Sequence, residues 1–221
     1  MKIVIAAATG GVGRLSTEQA RAAGHDVTAL ARNPEGFSEQ VRTAQIDLSA
    51  PDKGALEFAM AGADAVLSCL GPRSRKEPGI AFEGTRVLVD AAANAGVRHF
   101  SMISASPVGT TASPRRPTPP SVDPGDDFVT GRIATPIIRL FFGGVYTALA
   151  EAEDYVLTAG IAWTIVRPPR LTDGSAGDSY RTSTVENIRG GRKVSRANVA
   201  ACLLRSASEP EMRNQIVRIS D

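Results

Sequence analysis

The first fourteen residues, MKIVIAAATGGVGR, constrain this chain more than any other stretch. A short apolar run, Ile3-Val4-Ile5-Ala6, meets a small-residue turn, Ala7-Ala8-Thr9-Gly10-Gly11-Val12-Gly13, and a helical pattern starts at once. A strand that stops at a glycine turn and opens a helix leaves backbone N–H groups unpaired at the helix N-terminus. With the helix dipole, those groups form an anion site suited to a pyrophosphate.

The strand–helix rhythm repeats along the chain. Residues 3–8, 26–31, 41–46, 64–69, 97–103, 162–166 and 215–219 read as strands, being short, apolar and bounded by Gly, Pro, Asn or Asp. Residues 12–23, 52–61, 79–95 and 198–206 read as helices, and Gly24 and Gly62 are good stops for the first two. Strands alternating with helices over short connections predict right-handed crossovers. The expected fold is therefore α/β: a Rossmann-type, doubly wound parallel sheet with helices on both faces and a small C-terminal substrate lobe. One domain spans 1–221, and residues 167–195 contribute to the substrate pocket.

Residues 106–136 break the rhythm, holding Pro114, Pro117, Pro119, Pro120 and Pro124. Loops of that length are functional lids or disordered excursions; both readings stay open. Asp123, Asp126 and Asp127 read as solvated turn residues, so no metal is expected. Pro136 suits the first turn of a long helix, which Gly143-Gly144 would kink.

Composition narrows the partners. Charged residues are 22% of the chain and the net charge is +2, which gives no basic or acidic extreme to argue for nucleic acid. The longest uncharged apolar stretches fall short of a span of about 20 residues, so no membrane partner is expected. The N-terminus, one lysine followed by a strand and a glycine turn, does not read as a signal peptide. Cys69 and Cys202, far apart, suggest a reducing compartment and a cytoplasmic protein. The expected partner is a small-molecule substrate; oligomeric state is left open.

The site residues come from strand ends. A three-residue glycine spacing falls on positions 7, 10 and 13; Gly10 and Gly13 are present and Ala7 replaces the first. At the end of the second strand a carboxylate would bond the ribose 2′-OH of NAD. The chain has Leu30-Ala31-Arg32 instead, and an arginine there pairs with a 2′-phosphate. Arg14, in the first helical turn, is a second candidate contact. Both point to NADP(H), against the alternative of two solvated arginines.

Taken together, TGGVGR, LARNP, QIDLS, VLSCLGP, GVRHFSMIS and WTIVRPPRLTDG, in that order, resemble the atypical short-chain dehydrogenase/reductases, NAD(P)-binding proteins of Rossmann fold. Within them the chain is most similar to the biliverdin-IXβ/flavin reductase group and its bacterial relatives. The resemblance implies that Thr9, Gly10, Gly11, Val12 and Gly13 hold the pyrophosphate and that Arg32 takes the adenosine phosphate. It implies Asp47 at the adenine with Leu48 beside it, and Cys69, Leu70 and Gly71 along the riboses. The loop 167–173, with Pro168, would wall the nicotinamide. Cys69 lacks a sequence neighbour to activate it and reads as wall rather than nucleophile.

For catalysis the resemblance implies a serine after the fifth strand and a Tyr-x-x-x-Lys on the next helix. An ungapped match puts the serine slot on Ala105, between Ser104 and Ser106; Tyr146 sits on the expected helix, and Ala150 takes the lysine position. The biliverdin/flavin reductase group also lacks that pair, and there Arg170 falls where a substrate-facing histidine can stand. Ser104, Ser106, Tyr146 and Arg170 are therefore the catalytic candidates. The reading is an NADP(H)-dependent reductase of a small conjugated acceptor (flavin, quinone or tetrapyrrole). The alternatives are a non-catalytic NADP(H)-binding sensor and, third, an epimerase or dehydratase.

Overall fold

Strand β1, Lys2–Ala6, is the centre of the molecule. Its side chains alternate between two cores, as a strand buried on both faces must. Ile3 and Ile5 join Ala20, Val199 and Leu203 on one face, while Val4 and Ala6 join Leu56, Leu88 and Val156 on the other. The computed structural model describes residues 1–71, 79–174 and 180–221.

The expected elements come in the expected order, and three short strands, Arg170–Thr172, Arg181–Ser183 and Lys193–Ser195, join them. Helix α1 is Gly11–Ala22, β2 Asp26–Ala31, β3 Arg42–Gln45, α2 Lys53–Met60, β4 Ala65–Ser68, α3 Ile80–Asn94 and β5 His99–Ile103. After the proline-rich segment come α4 Thr135–Val156, β6 Ala162–Arg167, β7 Arg170–Thr172, β8 Arg181–Ser183, β9 Lys193–Ser195, α5 Arg196–Ser208 and β10 Gln215–Ser220. The main sheet runs β3-β2-β1-β4-β5-β6-β10-β8. Every neighbouring pair is parallel except the last, where β8 runs antiparallel to β10. β7 and β9 form a separate parallel ribbon. Helices α1 and α5 pack together on one face, and α2, α3 and α4 on the other. The chain leaves β1 toward β2 on one side and returns through β4 on the other. Their carboxyl ends therefore diverge and open a crevice at the switch point.

Several features depart from the sequence reading. Asp123 is not solvated: it is 5% exposed, and its Oδ1 accepts from the backbone N–H of Gly125 (3.0 Å) and of Asn187 (2.8 Å). Gly125 is pressed so closely on Asn187 that a Cβ there would stand 1.7 Å from its carbonyl oxygen. Asp127 caps the helical start by accepting from Thr130 N–H at 2.7 Å and pairs with Arg192 at 2.7 Å; these bonds hold its carboxyl at about 2. The proline-rich segment is thus sewn to the chain sixty residues on, neither a free excursion nor an unattached lid. Arg116 adds to this by donating to the carbonyls of Val108 (2.7 Å) and Thr111 (3.2 Å).

The kink in α4 falls at Phe142 (φ −124°, ψ 15°), one residue before the glycine pair. A π-type turn, Thr130–Ala134, leads into α4, so the helix runs continuously from Thr130 to Val156. By length and composition that helix meets the requirement for a membrane crossing. The sequence reading finds no such stretch, because Arg132 and Arg139 interrupt its apolar run. Its first half exposes Ile133, Ile137, Leu140 and Phe141, while its second half packs Leu149, Ala152 and Val156 into the cores. Among the described residues no cluster of His, Cys, Asp and Glu is arranged to hold a metal.

Candidate functional site

The crevice is a cleft of about 1470 Å³, larger than the few hundred to 1,000 Å³ typical of a site for a drug-sized ligand. Its floor is the turn after β1. Ala7, the slot that the spacing reserved for glycine, has φ +55°, a left-handed conformation costing a residue with a Cβ about 1–2 kcal/mol. Gly10 N–H closes the turn on the Ala7 carbonyl at 3.0 Å. Gly13 is there for space: a Cβ on it would stand 2.3 Å from the Ala7 oxygen and 2.8 Å from Ala8 Cα. Helix α1 has Gly10 as its N-cap, so no side chain caps it, and its first turn holds no acidic residue. Its leading N–H groups are thus left for an outside anion.

The strand ends supply the walls. Of the residues assigned to cofactor binding, Thr9, Gly10, Gly11, Val12, Arg32, Asp47, Leu48, Cys69, Leu70 and Gly71 all line the cleft. Arg32, exposed at the end of β2, makes no hydrogen bond or ion pair among the described residues. Asp47 lies just past β3. Its Oδ1 accepts from Ser49 N–H (3.0 Å) and Ser49 Oγ (2.7 Å), and these bonds, with the charge of Arg32, lower its pKa. Cys69 is a wall: its Sγ sits 3.6 Å from Ser16 Oγ, and burial pushes the thiol up to about 12. At neutral pH it is a thiol, the unreactive form.

Three assigned residues stand elsewhere. Gly13 lies behind the turn, where its work is packing. Arg14 donates from Nε to Thr9 O at 3.2 Å and lays its guanidinium 5.6 Å from the Phe37 ring centre, bracing the turn from outside. Pro168 is buried at the end of β6 and does not line the cleft.

The structure does not bring the four catalytic candidates together on the cleft. Ser104 is buried and its hydroxyl donates to Glu153 Oε1, which also accepts from Arg167 Nε at 2.9 Å. Glu153 and Arg167 form a fully enclosed ion pair, each side chain 2% exposed. Ser106 Oγ reaches toward the Arg167 carbonyl at 3.4 Å. Tyr146 leans on Phe142 and packs with Val108 and Leu149; burial raises its pKa, and Ala150, where a lysine would counter that, is itself buried. Arg170 is exposed at the start of β7. Sequence reasoning missed Arg196, Ile103, Ser49, Lys53, Arg86 and Asn94, which also line the cleft, and reached Leu171 only as part of the loop 167–173. Ser49 had a readable signal, an Asp-x-Ser turn after a strand; Arg196 had none, because its place depends on how α5 packs.

Comparison with known proteins bears on this geometry. The model of a family described as NAD(P)H-binding matches residues 7–210. This chain belongs to the NAD(P)H-binding family. The cleft fits that cofactor class through its uncapped helix start and glycine turn. A protein from Burkholderia pseudomallei shares 26% identity over 100% of both chains with a TM-score of 0.78. An oxidoreductase from Lactococcus lactis (18% identity, 100% of this chain and 91% of that one, TM-score 0.77) shares the fold. So does an anaerobillin reductase from Escherichia coli O157:H7 (20%, 100% and 97%, TM-score 0.72). No curated protein matches the sequence.

Proposed function

We propose that the chain is an NADP(H)-dependent oxidoreductase acting on a small conjugated acceptor such as a flavin, quinone or tetrapyrrole. The observation that carries the cofactor preference is Arg32, a guanidinium on the wall of the cleft at the end of β2 that pairs with none of the described residues. A carboxylate there would repel a 2′-phosphate; an arginine takes it in charge-assisted bonds. When bound, the nicotinamide supplies a hydride. The chain's own residues then bind and orient: the turn at Thr9–Val12 fixes the pyrophosphate, Arg32 and Asp47 fix the adenosine end, and Leu70, Ile103 and Leu171 supply apolar wall. Catalysis of this kind rests on positioning and needs no tyrosine–lysine pair. The names of two fold relatives, the anaerobillin reductase and a Streptococcus pneumoniae protein named for NADH-flavin reduction, agree with such an acceptor.

One observation favours a second reading, a dinucleotide sensor without turnover. Ser104 is locked onto Glu153, and Tyr146 stands off the cleft, so no hydroxyl among the four candidates lines the cleft. Steady-state oxidation of NADPH with FMN, quinones and biliverdin separates the two. Turnover with any of them supports the reductase; binding without turnover on the whole panel supports the sensor.

A further inference from the structure

Arg196 stands over the glycine turn without a part in the chemistry assigned to the cleft. It is the first residue of α5, half-buried, on the cleft wall. Its stem lies against the turn: a Cβ on Gly11 would meet its Cδ at 2.9 Å and its Nε at 3.1 Å. Rigid elements deliver it there. Ser195 caps α5 by accepting from Asn198 N–H at 3.1 Å, and its own N–H donates to Asp221 Oδ2 at 2.9 Å. Gln19 Nε2 donates to the Ala197 carbonyl at 3.0 Å, tying the first turn of α5 to the flank of α1. The guanidinium is therefore carried along α1 to the end where the helix opens.

Its ion-pair partner is Asp173, just past β7, whose side chain is 89% exposed. Exposed pairs of this kind are weak and readily exchanged. Beneath the guanidinium lies the uncapped start of α1, which favours a second anion. We propose that Arg196 is a side-chain clamp on the dinucleotide's pyrophosphate, and that it leaves Asp173 for the phosphates when the cofactor binds. The proposal rests on the dinucleotide reading of the cleft. It assigns the two arginines different work: Arg32 reads the 2′-phosphate that only NADP(H) has, whereas Arg196 holds the pyrophosphate common to both cofactors. Asp173 is then a competitor for Arg196.

The test is calorimetric titration of the full chain and of Arg196→Ala, Arg196→Lys and Asp173→Asn with NADPH, NADH and adenosine 2′-monophosphate, which lacks the pyrophosphate. A lost charge-assisted pair predicts NADPH and NADH each weakened about 10- to 100-fold in Arg196→Ala. The monophosphate should stay within about twofold, Arg196→Lys should recover part of the loss, and Asp173→Asn should bind both dinucleotides at least as tightly as the unaltered chain. Equal affinity of Arg196→Ala and the unaltered chain for NADPH overturns the clamp and leaves the dinucleotide reading intact. A loss as large for the monophosphate as for NADPH also overturns it. Failure of the unaltered chain to bind either dinucleotide overturns the underlying reading instead.

Discussion

Gly13→Ala is the sharpest test of how the turn is built. The added Cβ would lie 2.3 Å from the Ala7 oxygen and 2.8 Å from Ala8 Cα, both backbone atoms that no rotamer change can move. Ordinary contact begins near 3.4 Å, so α1 must lift off the end of β1 by about 1 Å. Overpacking of this kind costs about 1–3 kcal/mol. Alanine recovers up to about 1 kcal/mol of helix propensity, less in a first turn. The expected net loss is about 1–2 kcal/mol, which lowers the melting temperature by about 2–8 °C for a chain of this size. Cofactor affinity should fall further, because the same lift re-aims the N–H groups proposed to hold the pyrophosphate. Loss of one charge-assisted bond of about 1.5–3 kcal/mol weakens binding about 10- to 150-fold. Gly11→Ala is the internal control. Its Cβ meets only the flexible Arg196 side chain, so its stability should stay within about 0.5 kcal/mol of the unaltered chain. Thermal melts and calorimetric titration of both variants read these effects. A Gly13→Ala protein with an unchanged melting point and unchanged NADPH affinity would refute the turn geometry.

The buried pair gives a second prediction. Glu153→Gln leaves Arg167 enclosed without its counter-charge, which costs about 3–5 kcal/mol, and Glu153→Met with Arg167→Met recovers much of that in a denaturant melt. If the single and double variants melt alike, the pair is not the element that is at stake. Stability should also fall in mild acid. Burial holds His99 neutral, with its pKa lowered to about 4 from 6.5. Its contribution is therefore complete above pH 6.5 and is lost as pH falls toward 4, about 2 kcal/mol by pH 5. His99→Gln should flatten the decline between about pH 6.5 and 5, and an unchanged slope would show that other groups set it.

The legible parts of the sequence were those that depend on neighbours along the chain. The turn from β1 into α1, the end of β2 at Arg32 and the Asp47 turn each announce themselves within a dozen residues, and ten of the assigned cofactor residues line the cleft. Three-residue strands such as Arg181–Ser183 were not legible, because they are too short to show a period of two and are held by the register of β10. Asp123 looked like a solvated turn residue because its acceptor role depends on Asn187, sixty-four positions away. Ser104 stood among the catalytic candidates because Glu153, which holds it, lies on another element, out of reach of a local reading. Ala7 shows the converse: the spacing marked a glycine slot, and the residue adopts the left-handed conformation of that slot in spite of its Cβ.

The central claim, that Arg32 makes this a site for NADP(H), is tested most directly by parallel titration of the unaltered chain and Arg32→Glu with NADPH and NADH. A guanidinium–phosphate contact of about 1.5–3 kcal/mol predicts that the unaltered chain binds NADPH about 10- to 150-fold more tightly than NADH. In Arg32→Glu that preference should vanish or reverse while NADH binding changes little. Equal affinity for the two cofactors in the unaltered chain, or equal losses for both in the variant, would contradict the assignment.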